Sequence, residues 1–229
     1  FQLNQIFPKN KFKFNFKVNE VMPLDKAKKN DLSFFDSSRY KSFAINTNCG
    51  ACITSKELVK YLPKDIQVIL VKNVLFELAR VLKMIYPDAD IDYPDQTLKK
   101  PNIKKFKFVK FGNNVLVGKN VKIGKNTTVG SNSIIEHDVK IGKNCIIGYG
   151  VILKKAIIGD NVVIQDNCKV GQKGFGFIPL KTKNFKFPHI GKVEIKNNVE
   201  IGSGCTIDRG SVDDTIIGEN TYLDNQVHI

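Results

Sequence analysis

The 229-residue chain is predicted to be mostly β, a solenoid of parallel strands preceded by a small α/β domain. Three observations predict it. An aliphatic residue, usually followed by Gly, recurs every six positions at Val117, Ile123, Val129, Ile135, Ile141, Ile147 and Leu153, and again at Ile158, Ile164, Val170, Ile195, Ile201, Ile207, Ile217, Leu223 and Ile229. Four residues after these anchors stands a small or β-branched side chain, as at Val121, Thr127, Ser133, Cys145, Val162, Cys168 and Cys205. Three residues after them the chain favours Asn, Asp or Gly, as at Asn120, Asn126, Asp138, Asn144, Gly150 and Asn198.

The first hundred residues lack the hexad and are expected to form a separate unit. The stretches 45–54 and 66–71 read as strands, and 73–86 as an amphipathic helix closed by Pro87. The proline-marked segment 88–101 reads as the connection to the solenoid, giving domains at 1–100 and 101–229. Within the solenoid, two inward columns per hexad imply a short strand whose side chains alternate in and out. Asn, Asp and Gly best tolerate left-handed dihedrals, so each hexad carries its own corner. Each coil then buries its apolar columns on the next. The rhythm is one residue short between Leu153 and Ile158 and long between Ile207 and Ile217, and 175–194 must leave the coil as a loop.

The chain is 42% hydrophobic and has no apolar run near the roughly 18 residues a membrane span needs, so a cytoplasmic protein is expected. Cys145, Cys168 and Cys205 fall in the small inward column and read as core thiols. Cys49 and Cys52 form one CxxC-like pair without a second to complete a zinc site, and read as part of a buried strand. A net charge of +14 suggests an acidic partner, although outward lysines of a solvated solenoid face explain part of it. No nucleic-acid recognition motif accompanies the charge; a nucleotide diphosphate, an acidic carrier protein or an anionic membrane surface fits as well.

Three stretches are more specific than the hexad: Gly-Gln-Lys-Gly-Phe-Gly-Phe at 171–177, Ile-Asp-Arg-Gly-Ser-Val-Asp-Asp-Thr-Ile-Ile-Gly at 207–218, and Leu-Asp-Asn-Gln-Val-His-Ile at 223–229. Together they resemble the UDP-3-O-(3-hydroxyacyl)glucosamine N-acyltransferases of lipid A synthesis, and the likeness covers nearly the whole chain. An Asp-Leu-Ser-Phe-Phe-(x)4-Tyr stretch at 31–40 resembles that family's uridine-binding domain. The resemblance implies a left-handed parallel β-helix with three hexads per triangular coil, hence roughly five coils here. It implies that Phe34 and Tyr40 flank the uracil; Ser37 stands where the family commonly has Asn.

At 208 and 224 the residue after the anchor is Asp rather than Gly, a local rule broken of the kind that tends to mark function. For Asp208 a corner carboxylate bonded to nearby backbone amides is an equal alternative. By resemblance, Asp224 orients a general-base histidine seven residues later, at position 231. Asp208, Gln226 and His228 are expected at the substrate cleft, with His228 not the base itself. His137 and His189 read as solvated, and the three histidines occupy unrelated repeat phases, so no metal site is expected. The array stops mid-coil and the chain opens on Phe1, so the expectation is a fragment of a longer enzyme, inactive by itself.

The implied activity is transfer of a 3-hydroxyacyl chain from acyl carrier protein to the 2-amino group of UDP-3-O-acyl-glucosamine. It needs no cofactor, is carried out by a homotrimer, and leaves room for peripheral contact with the inner membrane. An acetyl-CoA-dependent sugar acetyltransferase of the hexapeptide class and a non-catalytic scaffold are the alternatives.

Overall fold

The computed structural model describes residues 1–229, which fall into two compact units: Phe1–Ile91 with Phe175–Pro188, and Asp92–Gly174 with His189–Ile229. The second unit begins ahead of residue 101 because the connecting segment bonds to the first coils. Lys99 bridges Val117, and the Asp95 carboxylate accepts the amides of Thr97 and His137, each at 2.8 Å.

The first unit contains a short helix α1 (Leu3–Ile6) and a parallel sheet of β1 (Leu32–Phe35), β2 (Ala51–Thr54) and β3 (Gln67–Leu70), with β2 in the middle. Between β1 and β2 run a 3-10 turn (Ser38–Tyr40) and the helix α2 (Lys41–Ile45). The strand expected from residue 45 therefore starts only at Ala51. Polar side chains divert the intervening backbone: Asn46 Nδ2 donates to the Ser42 carbonyl at 3.0 Å, and Thr47 Oγ1 accepts the Cys49 amide at 3.4 Å. Cys52 lies on this central strand and Cys49 just before it; both are buried in one apolar cluster with Phe35 and Leu62.

Helix α3 (Val74–Ile85) follows the sequence pattern closely. Asn73 caps it by accepting the Phe76 amide at 2.9 Å, and Val74, Leu78, Val81 and Leu82 recur on its buried face. The 175–194 excursion is not structureless. Phe177–Pro179 and Asn184–Lys186 form an antiparallel hairpin, whose Phe185 packs edge-on against Phe76 of α3 at 5.3 Å. The coil resumes at Val193.

The second unit is a parallel β-helix. One face stacks six strands (Lys110–Phe111, Thr128–Val129, Ile146–Ile147, Val163–Ile164, Glu200–Ile201, Tyr222–Leu223). The other two stack five each, one from Leu116–Val117 to Thr206–Arg209 and one from Lys122–Ile123 to Thr215–Ile217. Sixteen strands at three per turn give the expected five coils or so. The anchors form its core: Val129, Ile135, Ile147, Leu153, Ile164, Val170, Ile201 and Ile207 are buried.

The corners behave as their composition demands. Asn114, Asn120, Asn126, Asn132, Asn144, Asn161, Asn167, Asn198 and Asn220 all have φ between 56° and 62°. Their amides form a ladder along one edge, Asn126 Nδ2 donating to Asn144 at 3.2 Å, Asn144 to Asn161 at 3.1 Å and Asn161 to Asn198 at 3.1 Å. Where the hexad is one residue short, Lys155 takes the corner with φ 41°.

The small inward column has a second role that its size alone does not reveal. Thr127 Oγ1 and Ser133 Oγ donate to the carbonyls of Gly142 and Gly148, at 2.9 and 2.8 Å. The thiols of Cys145, Cys168 and Cys205 do the same to Gly159, Gly202 and Asp224, at 3.0 to 3.1 Å. They are core thiols that also satisfy a corner carbonyl of the adjoining coil. Burial pushes the Cys145 and Cys168 thiols up in pKa, away from reactivity.

Candidate functional site

The hexad fails most informatively where two neighbouring strands do not turn. Lys169–Lys173 and Thr206–Arg209 run on past the usual corner and stay paired, Gln172 opposite Asp208 and Lys173 opposite Arg209. The irregularity between Val170 and Gln172 centres on Gly171, at φ 82°, where any Cβ would collide with the Lys154 carbonyl oxygen. Asp208 is thus not a corner residue bonded to backbone amides. It sits on an extended strand with its side chain 18% exposed.

Its carboxylate gathers polar groups. Gln172 Nε2 donates to Oδ1 at 3.1 Å, and His228 Nε2 lies 3.4 Å from Oδ2. A side chain placed on Gly174 would meet Asp208 Oδ2 at 3.4 Å and His189 Nε2 at 3.0 Å, so the two groups flank the same glycine. His189 is half-buried, not solvated as its isolated position in the sequence suggests. The arrangement offers one anionic acceptor among groups that can donate or relay a proton.

Alternation along the extended strand turns the next residue inward. Arg209 is 5% exposed, and its Nε donates to the His189 carbonyl at 3.0 Å while one Nη donates to that of Gly171 at 3.0 Å. The other Nη meets Asp92 Oδ1 at 2.8 Å. Burial would raise the Asp92 pKa, but the Arg209 guanidinium and the Lys173 amide hold it below the usual carboxylate range, with Lys154 adding to the effect. Lys154 itself is paired with Glu136 at 3.1 Å.

The other sequence-predicted residues fall in two places. Asp224 and Gln226 lie exposed in the last coil. The Asp224 carboxylate accepts the Asn225 amide at 2.7 Å, and Gln226 occupies a left-handed corner at φ 59°. Phe34 is half-buried on β1, Tyr40 is 47% exposed on the 3-10 turn, and Ser37 caps that turn by accepting the Arg39 amide at 3.4 Å. No group of three or more His, Cys, Asp or Glu residues is placed to hold a metal ion, and no helix is long and apolar enough to cross a membrane.

Known proteins resemble the chain in both units. Residues 15–84 match the family model described as UDP-3-O-(3-hydroxymyristoyl) glucosamine N-acyltransferase, LpxD, and residues 120–155 match bacterial transferase hexapeptide (six repeats). The UDP-3-O-acylglucosamine N-acyltransferase of Rhodopseudomonas palustris strain TIE-1 is 40% identical over 223 residues, which are 93% of this chain and 61% of that protein. The chain belongs to the UDP-3-O-acylglucosamine N-acyltransferase family. A second member, from Rickettsia typhi strain Wilmington, is 39% identical over 231 residues, 99% of this chain and 66% of the relative. The chain thus spans a little under two thirds of the length of the family members it matches. Among solved structures, the N-acyltransferase AntD of Bacillus cereus, in complex with dTDP and 3-hydroxybutyryl-CoA, matches 58% of this chain and 79% of its own. That match is 22% identical with a TM-score of 0.40, too loose to bear on the site.

Of the residues that frame the Asp208 carboxylate, Gln172 and His189 carried no assigned role in the sequence, and nor did Arg209 and its partner Asp92, which anchor the same strand from its other side. For Gln172 and Arg209 the signal was present in the 171–177 and 207–218 stretches, which depart from the hexad together, whereas Asp92 and His189 lie outside both. That signal is readable only once the two stretches are known to be neighbouring strands.

Proposed function

We propose that the protein carrying this chain transfers a 3-hydroxyacyl group from an acyl carrier protein thioester to the 2-amino group of UDP-3-O-acyl-glucosamine, in lipid A synthesis. The observation that carries this reading is family membership across both units, together with a polar site at the point where the family-like stretches break the hexad.

The chemistry follows from the parts. The amine nitrogen attacks the thioester carbonyl, a C–N bond forms, the C–S bond breaks and the carrier thiol leaves. The ammonium proton must be removed for the amide to form, and we assign it to a histidine at position 231 oriented by Asp224. A backbone amide of a coil would stabilise the oxyanion. Asp208, Gln226 and His228 are proposed to line the sugar end of the cleft, where Asp208 is pre-oriented by Gln172. Phe34 and Tyr40 are proposed to sandwich the uracil. The Ser37 hydroxyl already accepts the Arg39 amide, which leaves its proton to donate to a carbonyl of the base. We further propose that the working enzyme is a cytoplasmic homotrimer and that no cofactor takes part.

The test is an acylation assay on the protein that carries this sequence, with the product read by mass spectrometry. Amide formation from a 3-hydroxyacyl carrier protein but not from acetyl-CoA is expected. The reverse preference would move the reading to sugar acetyltransferases.

A further inference from the structure

Charge is unevenly distributed along the solenoid. Residues 96–135 hold nine lysines and no Asp or Glu, whereas the rest of that unit, 92–95, 136–174 and 189–229, holds nine Lys or Arg against thirteen Asp or Glu. Six of the nine lysines lie in the 99–110 segment that leads into the first coil. The buried Phe106 pins this segment to the core, stacked edge-on against Phe111 at 5.7 Å. On either side of it Ile103 is 75% exposed and Phe108 is 60% exposed. Lys125 of the next coil extends over the Phe108 ring, its Nζ 5.2 Å from the centroid. Beside the segment, Lys122 and Lys140 are direct strand partners, and with Lys105, Lys155, Lys192 and a single carboxylate, Asp138, they line an open groove of about 690 Å³. Like charges stacked on adjacent strands repel unless an anion lies over them.

We propose that this basic, apolar-tipped end of the solenoid docks on an anionic lipid surface. The occupant is chosen by the two exposed side chains. A nucleic acid would neutralise the lysines but gives no reason for Ile103, which has no ring to stack, to stand in water, and an acidic protein is told apart from a bilayer by the vesicle test below. A bilayer takes both features at once. Apolar tips enter below the phosphates while lysine stems lie along the interface with their ammonium groups at headgroup level. Each lysine near such a surface strengthens binding by about fivefold. The proposal is independent of the acyl-transfer reading, because it rests on none of the residues placed at that site.

The experiment is co-sedimentation of the chain with vesicles of phosphatidylglycerol and phosphatidylethanolamine, compared with phosphatidylcholine alone. Binding to the anionic vesicles that weakens as salt is added is expected. The triple variant Lys104→Ser/Lys107→Ser/Lys125→Ser should bind about 100-fold more weakly, and Ile103→Ser/Phe108→Ser should also lose affinity. Lys181→Ser/Lys183→Ser, in the other unit, should bind as wild type. The chain has no Trp, so Phe108→Trp supplies a single reporter, whose emission should shift to the blue on anionic vesicles. No preference for anionic vesicles would overturn the proposal, as would an unshifted Trp emission. So would full binding by Ile103→Ser/Phe108→Ser, the behaviour expected of a surface that only recognises acidic proteins or polyanions.

Discussion

Arg209 and Asp92 meet at 2.8 Å, although one belongs to a late coil and the other to the segment ahead of the first strand. The same guanidinium holds the carbonyls of Gly171 and His189, one on each side of the hairpin excursion. One nearly buried side chain therefore fixes the exit and the return of the excursion and the start of the unit. Asp208, its neighbour on the strand, faces the opposite way and inherits that rigidity.

Replacing Arg209 by Ala is expected to lower stability by about 3 kcal/mol, because it leaves Asp92 and two carbonyls without their partner. For a chain of this size that corresponds to a fall of roughly 6 to 12 °C in Tm, measurable by calorimetry. A fall of under 1 °C would show that water replaces the guanidinium at no loss.

The same contact sets a pH dependence. Asp92 is held below the usual carboxylate pKa of about 3.9. Its contribution is therefore complete above that value and is lost as the pH falls through its lower folded-state pKa. Asp92→Asn has no proton to take up there. The difference in Tm between wild type and Asp92→Asn should be widest near neutrality and narrow below about pH 4. A gap constant with pH would mean that the carboxylate charge contributes nothing.

At the corners, side chain and backbone can be separated. Asn144→Ala should cost about 2 kcal/mol, combining the left-handed penalty with loss of its two ladder bonds. Asn144→Gly should recover about half of that, since glycine adopts φ 57° freely but carries no amide. Equal losses for the two variants in urea titrations would assign the whole effect to the ladder.

In the first unit, Tyr40→Ala and Phe34→Ala are expected to weaken UDP-sugar binding by about tenfold each in isothermal titration, from the loss of stacking on the base. Tyr40 is 47% exposed, so its variant should melt as wild type does. Unchanged affinity in both would remove the uracil from this pair.

The fold was legible because every hexad column faces one environment. Ile147 and Leu153 point inward, and Asn126 and Asn144 turn the chain, so composition records geometry directly. The reading failed where local polar bonding overrides pattern, as when Asn46 and Thr47 divert the backbone between Ile45 and Ala51. It also failed where a strand continues past its corner. Arg209 stands two residues after an anchor, a position that points outward elsewhere in the array. It turns inward only because the strand stays extended through Asp208. Asp208 itself was legible as a broken rule. Its partners Gln172 and His189 were not, since 36 and 19 positions separate them from it and only the stacking of coils brings them close.

The asparagine ladder has an evolutionary corollary. Asn144 reaches Asn161 across 17 positions, and Asn161 reaches Asn198 across 37, with the same 3.1 Å bond. The lattice registers layers, not sequence distance, so an insertion between layers leaves every rung above and below it in place. New loops can be acquired at an edge and remodelled by selection without the rest of the stack being re-optimised. The 175–188 excursion falls between two such layers, and the rungs from Asn144 to Asn161, before it, and from Asn161 to Asn198, across it, keep the same length.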